Sequence, residues 1–232
     1  MKKHLLGVSL LSVLVSSNAM AAGPVANIQV NGDIKPPTCT VNGGDNDLVF
    51  DFGKISSSLI PRDTSYGLPT VSNTLSVSCD AETYLTYTPT DVNSISDYIK
   101  DRYPNHYKGQ FSLIDVITGK EIGAVTFAIQ SPTVDGKAVN IQAVKDDTSL
   151  GANALVKNRL AGWAKTSIKV DTPEQLELIA GKQFQMNIRT YNSSSTMYSI
   201  IKPASVLAAD GIDISNGIDF TGQAIMTFNF GV

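Results

Sequence analysis

The chain contains many short segments in which apolar and polar residues alternate, and this pattern constrains the fold more than any other feature. Alternation with a period of two places apolar side chains on one face of a β-strand, and no long helical period accompanies it. Turn dipeptides such as Asp135-Gly136 separate the segments, because glycine allows the positive φ at which a chain can reverse. Strands are predicted over residues 48–55, 84–87, 109–116, 122–129, 138–144, 166–170 and 184–191. Such a succession of short strands predicts an all-β sandwich.

The two ends of the chain carry the most regular alternation. Near the beginning, one face of the segment is formed by Ala26, Ile28, Val30, Gly32 and Ile34. Near the end, one face is formed by Ala224, Met226, Phe228, Phe230 and Val232. The C-terminal segment is predicted to be a strand that packs into the core. The N-terminal segment is a strand at a free end, and it needs a groove, in this chain or in another molecule, if it is to be ordered.

The beginning of the sequence has the organisation of a secretory signal. Two lysines precede the apolar residues 5–15, and Ala-Met-Ala at residues 19–21 fits a cleavage site. The apolar run is too short to span a bilayer. We therefore expect removal of residues 1–21 and export of the remainder. Removal takes two of the 18 basic residues and none of the 21 acidic ones, so the exported chain is acidic and nucleic acid is not an expected partner.

The only two cysteines, Cys39 and Cys79, both lie in the part that is predicted to be exported. An oxidising compartment favours a disulfide between them. The bridge would close a loop of about 40 residues, which the chain-entropy model values at roughly 4 kcal/mol. A redox or metal role would require a C-x-x-C pair or neighbouring histidines, and the sequence has neither. The cysteines are therefore predicted to form a structural staple.

The sequence offers little for catalysis. His106 is the only histidine after the predicted processing, and the motifs of serine hydrolases, zinc proteases and nucleotide-binding enzymes do not occur. The acidic pairs Asp45 with Asp47 and Asp146 with Asp147 are predicted to be solvated turns, because the other ligands of a calcium loop do not follow them. No catalytic residue, metal ligand or cofactor is predicted.

Residues 98–108 interleave three tyrosines with arginine, histidine and lysine. This mixture is typical of surfaces that recognise a sugar or a protein. It is also typical of a connector whose tyrosines cover the edge of a sheet, which is the interpretation we favour. Trp163 is predicted to be a core residue.

Several of these segments follow one another in an order that resembles the subunits of chaperone–usher fimbriae. The resemblance rests on the alternating residues 28–34, on Pro-Thr-Cys-Thr-Val at residues 37–41 and on residues 49–55. It rests further on a second cysteine forty positions after the first and on the alternating aromatic C-terminal strand. It is loose in the middle of the chain, where residues 118–124 are more similar to a poorly characterised exported branch of fimbrial-like proteins than to an ordinary major pilin.

The resemblance implies an immunoglobulin-like sandwich that lacks its final strand and is completed by a donor strand from another molecule. It divides the chain into a signal peptide (1–21), an N-terminal donor-strand extension (22–36) and a pilin-like domain (37–232). The implied donor residues are Ile28, Val30, Gly32 and Ile34. The implied groove wall, which also presents its edge to the chaperone, is formed by Ala224, Met226, Phe228, Phe230 and Val232.

These features predict a non-catalytic structural or adhesive subunit of a surface fimbria, which is exported through the periplasm. The implied partners are neighbouring fimbrial subunits, a periplasmic chaperone and an outer-membrane usher, with a host receptor as a further candidate. An alternative remains open: a monomeric periplasmic binding protein whose N-terminal strand completes its own sheet. A periplasmic hydrolase is the third candidate, and the missing catalytic motifs argue against it.

Overall fold

The computed structural model describes residues 29–30, 33–193 and 198–231. The chain divides into two compact units, Met1–Lys35 and Pro36–Val232. In the first unit, the five residues 29–30 and 33–35 are described. The predicted signal peptide, the predicted donor residues Ile28 and Gly32, and the last residue Val232 lie outside the described residues.

The second unit consists mostly of β-strands, so the all-β fold class is confirmed. The strands are β1 Cys39–Val41, β2 Tyr66–Gly67, β3 Ser72–Thr83, β4 Leu85–Asp91, β5 Gln110–Asp115, β6 Glu121–Val134, β7 Lys137–Ala138, β8 Asn140–Val144, β9 Ala161–Ala164, β10 Lys169–Val170, β11 Gly181–Thr190, β12 Ile200–Ile201, β13 Phe220–Thr221 and β14 Ala224–Phe230. The α-helices are α1 Asp97–Arg102 and α2 Ala204–Ala209, and the 3₁₀ turns are Asn42–Gly44, Ser57–Leu59, Tyr107–Gly109 and Pro173–Gln175. No helix in the described part of the chain is long and apolar enough to cross a membrane.

The strands form two sheets. The larger sheet has the order β1-β3-β11-β6-β12-β2, and β5 and β7 also pair with β6 while β13 pairs with β5. The smaller sheet has the order β10-β8-β9-β4-β14. The pairing is antiparallel throughout both sheets, except between β8 and β10. The C-terminal strand β14 therefore lies at one edge of the smaller sheet.

A single large core contains side chains from both sheets. Trp163 of β9 is fully buried, and its ring lies 5.3 Å from that of Phe184 in β11, measured between centroids. Its indole N–H donates to the carbonyl of Gln185 at 3.1 Å. On its other side, Tyr87 of β4 packs edge-on at 5.5 Å. Trp163 thus connects the two sheets, and its prediction as a core residue is confirmed.

The predicted disulfide between Cys39 and Cys79 is confirmed. The two residues lie directly opposite each other in the antiparallel ladder of β1 and β3, with their Cα atoms 4.1 Å apart. Beyond the bridge, the amide of Asp80 donates to the carbonyl of Thr38 at 3.0 Å. The bridge therefore holds a three-residue strand, which could bury little surface by itself, against a strand of twelve residues.

The prediction of a strand over residues 48–55 is wrong. In the described part of the chain this segment has no strand partner. Its burial nevertheless alternates, because Leu48, Phe50 and Phe52 are half-buried while Val49 and Asp51 are exposed. Hydrophobic alternation decides which side chains point inward, whereas a strand also requires a neighbouring backbone to which it can hydrogen-bond.

Candidate functional site

An open groove of about 600 Å³ lies between two segments of the second unit. Residues 50–55 form one wall, and residues 214–220 form the other and lead towards β14. Ile122 of β6 and Ile201 of β12 line it from below, and both are otherwise buried in the protein. The groove therefore reaches the larger sheet, and its lining mixes these apolar side chains with polar ones such as Asp51, Lys54 and Asn216.

The first wall is held in place by its side chains. The ring of Phe50 packs against that of Phe127 in β6, with 4.9 Å between centroids. The ring of Phe52 lies 6.3 Å from that of Phe220 in the opposite wall. The carbonyl of Val49 accepts a hydrogen bond from the side chain of Asn73 at 3.0 Å. Packing and a side-chain hydrogen bond thus take the place of a strand ladder along this segment.

The second wall is fixed to the larger sheet. The amide of Val116 donates to the carbonyl of Asp219 at 2.9 Å, and the two residues of β13 pair with the end of β5. Ile214, Ile218 and Phe220 are half-buried and pack against the core. Both walls contain a turn, since Gly53 and Gly217 have positive φ and the amide of Gly217 donates to the carbonyl of Ile214 at 3.0 Å. The apolar side chains of the two walls are the part of the groove that suits an apolar peptide.

Strand β14 continues from this wall and has a free backbone edge. In its ladder with β4, Ile225 lies opposite Thr90, and Gly231 just beyond the strand donates to the carbonyl of Tyr84 at 2.9 Å. The odd-numbered residues therefore direct their backbone groups towards β4. Alternate residues of an antiparallel strand direct these groups to opposite sides. The even-numbered residues, from Ala224 to Phe230, thus present their N–H and C=O groups at an edge that pairs with no other strand in the described residues.

The predicted C-terminal positions differ in burial. Met226 and Phe228 are half-buried and pack against the core, and the ring of Phe228 lies 6.4 Å from that of Tyr87. Ala224 is exposed, and Phe230 is 49% exposed. Only the middle of this strand is packed as the sequence predicted, because an edge strand has a neighbour on one side only. Its role as a groove wall and chaperone strand stays a prediction.

Two of the predicted donor residues, Val30 and Ile34, lie in the described part of the first unit. Neither belongs to a strand or a helix, and their exposed fractions are 90% and 101%. Asp33, between them, forms an ion pair with Lys35. The alternating segment therefore carries apolar side chains that contact water. Its role as a donor strand also stays a prediction.

The tyrosine-rich residues 98–108 mainly cover the larger sheet. Ile99 is fully buried and Tyr103 is buried, and both belong to a small cluster with Ile200 of β12. The hydroxyl of Tyr98 forms a 3.2 Å hydrogen bond with that of Ser65. These contacts support the connector interpretation.

The acidic pairs are also accounted for by local structure. The amide of Asp47 donates to the side chain of Asp45 at 3.3 Å, which is a turn contact. Asp146 faces Arg159 at 3.1 Å and Lys169 at 3.6 Å, so its charge is balanced by cations. Among the described residues, no group of three or more histidine, cysteine, aspartate or glutamate side chains is suited to a metal ion.

Four buried charges form a cluster that the sequence did not indicate. Lys202 lies 3.1 Å from Glu121, and Lys157 lies 3.9 Å from Asp91. Burial lowers the pKa of Lys157 to about 8, although the charges of Asp91 and Glu121 act in the opposite direction. Burial also raises the pKa of Asp91, against hydrogen bonds from the backbone of Ser112 and Asn93 and the charge of Lys157. These residues are far apart in the chain and belong to no motif, so only the fold brings them together.

Comparisons with known proteins do not identify a family for this chain. No protein-family model and no curated protein matches the chain. The function is therefore inferred from the groove, the free strand edge and the pattern of the sequence.

Proposed function

We propose that the protein is a non-catalytic subunit of a surface fimbria, and that its groove binds an extended strand from a neighbouring subunit. The observation that carries this proposal is the groove between residues 50–55 and 214–220, together with the free edge of β14. The inserted strand would complete an immunoglobulin-like sandwich. It would provide the backbone partner that residues 48–55 lack in the described part of the chain.

The physical gain of such binding has two sources. Each apolar side chain that moves from water into the groove contributes about 1.5–3 kcal/mol. Each backbone hydrogen bond to the edge of β14 contributes roughly 0.5–1.5 kcal/mol net. Strand addition combines both, since main-chain bonds give affinity while side-chain pockets give specificity.

The N-terminal extension, residues 22–36, is the segment of this chain that best fits such a groove. Val30 and Ile34 are exposed and share one face with Ile28 and Gly32, which the structure does not describe. In an assembled fibre, the extension of one subunit would therefore bind the groove of the next. The pilin-like domain in this proposal spans residues 37–232, and residues 1–21 direct export through the periplasm.

An unprotected strand edge with exposed apolar side chains such as Ile225 and Phe230 favours aggregation. Delivery of such a subunit to a fibre at the cell surface therefore requires partners that cover the edge. A periplasmic chaperone and an outer-membrane usher have that role in the proposal. An adhesive function towards a host receptor is compatible with a terminal subunit.

The decisive experiment adds a synthetic peptide of residues 22–36 to the exported chain from which residues 22–34 have been deleted. We expect one peptide to bind per chain and to raise the melting temperature, as seen by native mass spectrometry and calorimetry. A peptide with Ile28, Val30 and Ile34 replaced by asparagine is expected not to bind. A matched control replaces Asn27, Gln29 and Asn31 by serine, on the opposite face, and is expected to bind normally.

Two results would count against the proposal. If the peptide neither binds nor stabilises a folded deletion variant, the groove is not a site for this strand. If the deletion unfolds the chain and the intact protein is monomeric, the extension completes its own sheet. The periplasmic binding protein would then be the better assignment.

A further inference from the structure

We propose that Lys157 and Asp91 are a covalent modification site, in which the lysine amine and the aspartate carboxyl condense to an intramolecular amide. This inference does not depend on the proposed function, because it concerns the buried charges and not the groove. It rests on the position, the enclosure and the hydrogen-bond partners of the two side chains.

The fold brings the two reacting groups together and holds their backbones. Asp91 is the last residue of β4, and Lys157 precedes β9. The amide of Asn158 donates to the carbonyl of Pro89 at 2.8 Å, and that of Lys157 donates to the carbonyl of Lys108, also at 2.8 Å. The lysine Nζ lies 3.9 Å from Oδ2 of Asp91. The amine would attack Cγ, the carbon bonded to this oxygen, and the two atoms must approach to about 3–3.5 Å for the reaction.

The pair is removed from water. The exposed fractions of the two side chains are 16% for Lys157 and 3% for Asp91. The lysine Nζ lies 5.6 Å from the centre of the Phe111 ring. Burial disfavours the charged forms of both groups, and the uncharged forms, amine and carboxylic acid, are the ones that condense. Accordingly, burial lowers the pKa of Lys157 and raises the pKa of Asp91.

The surrounding hydrogen bonds suit an amide. Lys157 Nζ donates to the carbonyls of Gln110 and Tyr107, so one of these can accept from the N–H of the product. The amide of Ser112 donates to Oδ2 of Asp91 at 2.8 Å, and that of Asn93 donates to Oδ1 at 3.0 Å. One of these two donors can bind the carbonyl oxygen of the product. The site therefore already contains partners for both polar groups of the bond.

The condensation needs only the two side chains. Glu121 lies nearby, but Lys202 is 3.1 Å from its side chain and the backbone amide of Ser96 donates to it at 2.9 Å, so it is engaged elsewhere. The uncharged amine attacks Cγ of Asp91 and forms the C–N bond. A proton passes from the nitrogen to the departing hydroxyl, the C–O bond breaks, and one water leaves. No oxidant or other reactant is needed.

Mass spectrometry of the purified exported protein tests the proposal directly. After reduction of the disulfide, the intact mass is expected to be lower than that of the processed sequence by one water. A tryptic digest is expected to contain a branched peptide that joins Asp91 to Lys157, because acylated lysine is not cleaved. Lys157→Met and Asp91→Ala are each expected to abolish the loss of one water.

The same digest contains internal controls. Lys145 with Asp171 and Lys108 with Asp147 have shorter N–O distances, 2.7 Å and 2.6 Å, but these lysines and aspartates are exposed. Both lysines are expected to stay unlinked. This result would show that burial of the pair, and not a short N–O distance alone, is required for the reaction. A wild-type protein of full mass, with a normal peptide ending at Lys157, would overturn the proposal and leave a buried ion pair. This result needs no variant, so it holds even if the substituted proteins fail to fold.

Discussion

Strands β11 and β14 both place apolar residues at alternate positions, but their environments are very different. β11 lies between β3 and β6, and the inward side chains Phe184, Met186 and Ile188 are at most 2% exposed. β14 alternates just as regularly, yet it pairs with β4 alone in the described residues and leaves Phe230 49% exposed. The difference shows that alternation selects the inward face, whereas the number of neighbouring strands decides how completely that face is buried.

This contrast divides the molecule into a closed and an open region. The closed region comprises β3, β6, β9 and β11 with Trp163, and the disulfide ties the edge strand β1 to it. The open region comprises residues 48–55, residues 214–220 and β14. Binding sites are usually found in the less stable parts of a protein, because a region that must accept a partner cannot be fully packed beforehand. We expect substitutions in the closed region to affect folding and those in the open region to affect binding.

The largest effect is expected at Trp163. Trp163→Ala removes a fully buried ring that contacts Tyr87 and Phe184, and such truncations cost about 3–5 kcal/mol. Domains of this kind have only about 5–15 kcal/mol of total stability, so the folded yield should fall sharply. Urea denaturation followed by circular dichroism measures the loss. A change below about 1 kcal/mol would contradict the assignment of Trp163 to the closed region.

The second-largest loss of stability is expected when the disulfide is removed. Replacing Cys39 and Cys79 together by serine removes the bridge without leaving a free thiol, and loss of a native disulfide typically costs about 2–5 kcal/mol. The midpoint of urea denaturation should decrease accordingly. Reduction of the wild-type protein should lower the midpoint by a similar amount. If neither treatment changes it, β1 is held to β3 by its ladder alone.

Much of the closed region could be predicted from the sequence, because its signals are local. Alternation identified β11, and export context identified the disulfide. Strand β9 was missed, since Ala-Gly-Trp-Ala has no alternation and its burial on both faces comes from the packing of distant elements. The sequence also did not indicate that residues 48–55 pair with no strand in the described part of the chain. Nor did it indicate the cluster of buried charges around Glu121. Pairing and charge burial depend on residues that are far apart in the chain.

In the open region, the first prediction concerns assembly and not folding. Gly32 lies outside the described residues, and we propose that it meets the floor of a neighbour's groove, where a side chain has no room. Gly32→Leu should leave the melting temperature of the subunit unchanged. It should weaken binding of the 22–36 peptide by about 1–3 kcal/mol, the usual cost of overpacking. Calorimetry compares the wild-type peptide with the Gly32→Leu peptide. A third peptide with Asn31→Leu, on the other face, serves as the control. Equal affinities for all three peptides would contradict the proposed position of Gly32.

The smallest effect among the described apolar side chains is expected at Phe230. Its side chain is 49% exposed, and so is that of Ile225, which lies on the opposite face of the same strand. Because neither is fully packed, Phe230→Ala and Ile225→Ala should each lower the free energy of unfolding by only about 1 kcal/mol or less. Binding of the 22–36 peptide should separate them. A strand in the groove would cover the inward face, so Phe230→Ala should weaken binding several-fold while Ile225→Ala leaves it unchanged. If the two variants lose affinity equally, the peptide contacts only the backbone edge of β14, and the open region lacks the side-chain specificity proposed for it.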